Sequence, residues 1–266
     1  MNIRTNGEFG YEMVVVVPYA YWLHINNQLT STTSCKDTQP LYYFSNKHNE
    51  LFDKRSPCLG TDVDINGASF KNLHTAQPNF SKWKFPDYKA QFKNNIFTFD
   101  KPLLILSNKR YSRGSTQRHG WFDDSQLELL FKKFHNKYQI IYNRAKSNKI
   151  TVDTQLPKDV DTDYALCEAY GVIDINNLHD KYADTYSFNT LQFMLHANCD
   201  KFISVQGGSS ILSSAFGGTN LIYALSGEEL KVGSYANWYS KFSECNVAHA
   251  SDFEAFESLT NSFLND

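Results

Sequence analysis

The sequence predicts an α/β protein built on a parallel sheet. Two observations in its later half carry this: short, wholly apolar runs, and helix-patterned segments alternating with them. A third is the stretch Phe202-Ile203-Ser204-Val205-Gln206-Gly207-Gly208-Ser209-Ser210, followed by Ile211-Leu212-Ser213-Ser214. An apolar run halts at two glycines, and a helical repeat begins at once. That pattern reads as strand, tight turn and helix, with unpaired backbone N–H groups opening into the turn. Ser209 and Ser210 are placed to cap the helix, and the paired glycines let an anion approach the backbone.

Along the chain, Leu103–Leu106, Gln139–Tyr142, Gly171–Ile175, Phe202–Val205 and Asn220–Leu225 are the expected strands of this half. Phe122–Tyr138 is an expected helix, with Leu127, Leu130, Phe131 and Phe134 at helical spacing, Asp123 and Asp124 at its start and Lys132 and Lys133 near its end. Phe188–Asn198 is a second helix. Asp252–Leu264 closes the chain as a third, on Phe253, Phe256, Leu259 and Phe263. Before residue 100 the pattern is weaker. Gly7-Glu8-Phe9-Gly10-Tyr11-Glu12 is a glycine-punctuated loop leading into a helix over Met13–His24, expected to kink at Pro18. Leu41–Ser45 reads as a strand, and residues 66–95 as an irregular connection. The expected division is a first lobe over 1–100, a second over 101–250 and a closing helix over 251–266.

The 266 residues suffice for one large core or two small ones, and the 20 Phe and 16 Tyr mark a folded chain. A net charge of -2 gives no electrostatic reason for nucleic-acid binding. The five cysteines are dispersed without a Cys-x-x-Cys pair, which points to free thiols. Tyr11–Leu23 is apolar but short of the roughly 20 residues a membrane span needs, so no transmembrane segment is expected.

Parallel α/β sheets bind ligands beyond their strands' carboxyl ends. Those ends supply Asn108, Lys109 and Arg110, then Arg144, then Asp174, then Gln206 to Ser210. Amide and cationic groups from four loops meeting a glycine-serine turn suit a pyrophosphate. A nicotinamide enzyme places its glycines after the first strand, and neither a Walker loop nor a Gly-x-Ser-x-Gly elbow is present. Asp62-x-Asp64 opens like a calcium loop, yet Leu73 stands at the closing Glu position. That pair and Asp161-x-Asp163 read as surface loops.

Three stretches, residues 7–12, 101–110 and 202–223, resemble GT-B glycosyltransferases, in the style of compact glycan-building transferases of bacterial surface loci and large algal viruses. The resemblance implies two Rossmann-like lobes with parallel sheets, the first reduced. It implies transfer from a nucleotide diphosphate sugar, UDP-linked and conceivably UDP-xylose, to a glycan hydroxyl. The transfer would be inverting and metal-independent, with no cofactor and a cytoplasmic location (host cytoplasm for a viral protein). It further implies that Asn108, Lys109, Arg110, Arg144 and Gln206–Ser210 hold the diphosphate, with Val172 and Asp174 beside the base or ribose. Gly7, Phe9, Gly10 and His74 would form the acceptor side. The proton-abstracting base would come from the first lobe: Glu12 first, then Glu8, with His74 third. Two alternatives stay open, a pyruvyl- or other group transferase on the same scaffold and a noncatalytic nucleotide- or sugar-binding module.

Overall fold

The computed structural model describes residues 1–56, 80–110, 120–151 and 162–265. His74, Cys58, the Asp62-x-Asp64 pair and Asp161 lie outside them. The described chain forms two parallel sheets, one of three strands and one of six. The first joins β1 (Asn2–Arg4), β2 (Ser31–Cys35) and β3 (His48–Phe52) in that order. The second contains β4 (Leu103–Ser107), β5 (Gln139–Asn143), β6 (Ile173–Asp174), β7 (Lys201–Val205), β8 (Thr219–Tyr223) and β9 (Asn246–Ala250). Its order is β6-β5-β4-β7-β8-β9, every pair parallel. This is the doubly wound order of dinucleotide-binding sheets.

Alternate residues of the large sheet feed opposite faces, as the two-residue strand repeat requires. Leu104, Leu106, Ile203, Val205 and Leu221 meet α3 (Asp124–Phe134), α4 (Thr162–Ala169) and α8 (Phe253–Thr260). Ile105, Ile141, Phe202 and Ile222 face α5 (Ile175–Tyr182), α6 (Phe188–Ala197) and α7 (Gly208–Ser214). That second core continues without a break into the first lobe, through Met13–Val17, Leu41 and Tyr42. The expected α3 is present, with a full capping box between Asp123 and Gln126.

The structure departs from expectation at several places. Pro18 causes no simple kink: π-type turns over Glu12–Val16 run directly into α1 (Val17–Ile25). Proline removes the N–H that the Val14 carbonyl would take in an α-helix, and Trp83 Nε1 donates to that carbonyl instead, at 2.7 Å. Leu41–Ser45 is not a strand. Pro40 opens a short helical turn, Gln39–Tyr42, that sinks Leu41 and Tyr42 into the core. The strand at 171–175 shrinks to two residues because Asp174 accepts from the Asn176 amide and caps α5. Finally, β9 lies beyond the strand expected to be last, and β1 and β2 were hidden by polar composition.

Asp37 ties the small-sheet segment to helix α6 of the large sheet. Its carboxylate accepts from Ser187 Oγ and, at 2.8 Å, from the Asn189 amide at the start of α6. Burial pushes its pKa up to about 6 despite these donors, with Glu50 adding repulsion. An unfolded aspartate titrates near 3.9, so between those values the folded state binds more protons than the unfolded one. Asp37 therefore contributes stability below about pH 4 that is lost as pH rises through about 6, about 3 kcal/mol. Scanning calorimetry of Asp37→Asn should show that slope flattened relative to the unmutated chain. An unchanged slope would remove Asp37 as its source.

Candidate functional site

The order of the large sheet reverses between β4 and β7, and ligands of such sheets bind in the crevice at this switch point. Two loops border it. After β4 come Asn108, Lys109 and Arg110; after β7 come Gln206, Gly207 and Gly208. Gly207 has φ 103° and ψ -152°, a conformation essentially restricted to glycine, and it starts α7. The serines do not cap the helix as expected. Ser209 Oγ donates to the Val205 carbonyl at 3.1 Å and Ser210 Oγ to the Gly207 carbonyl at 2.8 Å. With the serine hydroxyls turned back to the strand end, the first amides of α7 have no side-chain cap among the described residues. Lys109 Nζ donates to the Gln206 carbonyl at 2.5 Å and stands 3.1 Å from where a side chain at Gly207 would begin. Lys109, Gly207, Gly208 and Ser209 are half-buried, forming a rim rather than a core.

The opening loop of the first lobe sits directly on this turn. A side chain at Gly208 would begin 3.2 Å from the Phe9 ring, and one at Gly10 would begin 3.0 Å from Ile211 Cδ1. Two motifs separated by some 200 residues of sequence thus close-pack through their glycines. Phe9, Gly10, Lys109, Gly207 and Gly208 are brought together; Gly7 packs within its own loop, against Thr5 and Tyr11, and Glu8 is half-buried between Gly7 and Phe9.

Glu12 is placed differently from the expectation of a base presented to an acceptor. Its side chain is fully buried. Arg55 Nη1 donates to Oε2 at 2.6 Å, while Tyr42 OH, at 2.7 Å, and Ser34 Oγ donate to Oε1. Burial, then the Glu12 charge, raises the Tyr42 pKa well above its ordinary value, which keeps the phenol protonated as a donor. Glu12 is occupied as the anchor of a buried ion pair.

The strand-end residues divide in the same way. Asn108 clamps the segment before α3: its amide donates to the Phe122 carbonyl at 3.0 Å and its oxygen accepts from the Phe122 amide at 3.1 Å. Arg144 is buried and ion-paired with Asp163: Nη2 donates to Oδ1 at 2.9 Å and Nε lies 2.7 Å from Oδ2, with the guanidinium 4.2 Å from the Tyr164 ring centre. Tyr142 OH donates to the same carboxylate at 2.6 Å. Asp163, expected in a surface loop, is fully buried in the first turn of α4. Arg110 pairs with Asp124. Val172 packs in the core instead of lining a ligand cleft, and Asp174 is the α5 cap. The Gln206 side chain turns toward the Ser226–Gly227 segment, its oxygen 3.4 Å from the Ser226 amide. Of the cations expected to meet a diphosphate, Lys109 reaches the Gly207 turn, whereas Arg110 and Arg144 support the loops around it.

Arg55 escaped sequence reasoning, and Asp163 was read only as half of a surface Asp-x-Asp pair. Arg55 lies neither at a strand end nor beside a glycine pair, and an isolated Arg has no periodic signature. The one available signal was complementary: a carboxylate in so apolar a stretch as residues 11–20, all buried, demands a cation.

Among the described residues no helix is long and apolar enough to cross a membrane. By sequence, the chain matches no protein-family model and no curated protein. By structure, it resembles ADP-heptose LPS heptosyltransferase II of E. coli, with TM-score 0.55 and 9% identity over 99% of this chain and 98% of that one. A glycosyl transferase family 9 protein of Veillonella parvula gives TM-score 0.38 at 13% identity, over 92% of this chain and 62% of that one. The fold is accordingly α/β with parallel sheets and GT-B-like, its first sheet reduced to three strands against six in the second.

Proposed function

We propose that this chain is a glycosyltransferase that moves a sugar from a nucleoside diphosphate donor to a glycan hydroxyl, with inversion and without a metal requirement. One observation carries the proposal: the Glu8-bearing loop of the small lobe is seated on the Gly207–Gly208 turn at the switch point, with Lys109 across that turn. The donor diphosphate is assigned to the Gly207–Ser209 amides and the Lys109 ammonium, which compensate the charge of the departing diphosphate. Glu8 is assigned as the base. It takes the proton of the acceptor hydroxyl as that oxygen bonds to the anomeric carbon, and the electron pair of the breaking C–O bond leaves with the diphosphate. With Glu12 enclosed, Glu8 is the half-buried carboxylate of this loop. A UDP-linked donor, including UDP-xylose, and a cytoplasmic setting follow from the sequence resemblance.

Titration calorimetry with UDP, GDP and ADP tests the assignment. One diphosphate should bind, and Lys109→Ala should weaken it by about 1.5–3 kcal/mol, the range for a hydrogen bond to a charged group. Absence of binding by all three refutes the donor site. Binding without donor turnover, unaltered by Glu8→Gln, would instead describe a nucleotide-binding module.

A further inference from the structure

The geometry points to Arg55 as the positioning residue that seats the Gly7–Phe9 loop on the Gly207–Gly208 turn, and with it the carboxylate of Glu8. Arg55 is 7% exposed and holds the loop at both flanks of Glu8. On one side Nη1 donates to the Gly7 carbonyl at 2.8 Å. On the other, the guanidinium lies 5.3 Å from the centre of the Phe9 ring, the ring that close-packs on Gly208. The same Nη1 is fixed at 2.6 Å by Glu12 Oε2. Glu12 in turn is held by Tyr42 OH and, from β2, by Ser34 Oγ. A chain of buried polar contacts therefore runs from the small sheet through Glu12 and Arg55 to the two residues bracketing Glu8. A planar guanidinium suits this position, because one face meets an aromatic ring while its edge N–H groups serve a carbonyl and a carboxylate. Lysine lacks that plane.

The assignment of a task to Glu8 rests on the transfer reading; the seating of the loop does not. Two measurements keep them apart. Hydrogen exchange on Arg55→Lys should show amides of residues 6–11 exchanging at least tenfold faster, with those of residues 202–205 unchanged. Unchanged exchange in 6–11 overturns the seating role, whatever the protein's activity. Should Arg55→Lys melt at the working temperature, the charge-balanced pair Arg55→Met with Glu12→Gln, which strands no buried charge, gives the same comparison. In the second measurement, donor turnover by Arg55→Lys should drop at least tenfold in kcat, while affinity for the bound nucleoside diphosphate stays within twofold. In a Glu8→Gln background, Arg55→Lys should cause no further loss, because the group it positions is gone. Independent, multiplicative losses, or lost diphosphate affinity with kcat intact, would overturn the link to Glu8. An unmutated chain showing neither diphosphate binding nor donor turnover sinks the transfer reading alone, and the exchange experiment still decides the role of Arg55.

Discussion

Replacing Glu12 with glutamine is expected to destabilise the protein by about 3–5 kcal/mol, the usual consequence of breaking a buried ion pair from one side. The carboxylate is fully buried and accepts from Arg55, Tyr42 and Ser34. A glutamine amide supplies one acceptor oxygen where two were used; its NH₂ either faces the Arg55 guanidinium, which cannot accept, or forces the Tyr42 and Ser34 hydroxyls to turn from donating to accepting. Arg55, itself 7% exposed, keeps its charge with only the Gly7 carbonyl still in place among these partners. For a chain of this length the melting temperature should fall on the order of 10 °C. Substituting both members, as Arg55→Met with Glu12→Gln, should recover much of the loss, since no charge is then stranded. Thermal denaturation of the two variants checks both statements. If Glu12→Gln melts like the unmutated chain yet loses donor turnover, the anchor role fails and Glu12 returns as the base.

That prediction reverses what the sequence suggested for Glu12, and the reason is general. A carboxylate just before an apolar run reads equally as a helix-dipole partner, a catalytic base or a buried anchor. The cation that decides among them, Arg55, is 43 residues away. The large sheet was legible because its strands are buried on both faces and so appear as mainly apolar runs: Leu103–Leu106, Ile140–Tyr142 and Phe202–Val205. The small sheet was not. Ser31-Thr32-Thr33-Ser34-Cys35 buries Thr32 and Ser34 by hydrogen-bonding them, Thr32 to Ser45 and Ser34 to Glu12, instead of through apolar side chains. Likewise Asn246–Ala250 at the sheet edge is mostly exposed or half-buried, so no apolar run announces it. At the site, the Gly207-Gly208 turn and Lys109 were readable from local pattern. Which neighbouring cations were already committed to Asp163 and Asp124 was not, because ion pairing is a tertiary property.

Gly218→Ala should be among the most damaging single-methyl additions to the chain, and the reason bears on how the turn after β7 is held. Gly218 has φ +68°, and a methyl there would begin 2.3 Å from the Asp200 carbonyl oxygen and 2.8 Å from its carbon. Both belong to backbone, so no side-chain rotation relieves the overlap. The Asp200 carbonyl accepts the Thr219 amide at 2.9 Å, and the Gly218 carbonyl accepts the Asn246 amide at 2.9 Å. These bonds begin the β7–β8 and β8–β9 pairings, so moving Gly218 aside loosens the first rungs of both. The left-handed conformation, the overpacking and a weakened hydrogen bond together should cost about 3 kcal/mol or more. Gly171→Ala is the matched control. That residue also has positive φ, +61°, but none of the described residues comes within 4 Å of the added methyl, so only the backbone cost of about 1 kcal/mol applies. Urea midpoints of the two variants should therefore differ by roughly 2 kcal/mol once scaled by the common slope. Equal costs would mean that β7 and β8 slide apart freely at this end. The rigid registration of the Gly207 turn, which lies past the other end of β7 from the same contact, would then have no mechanical basis.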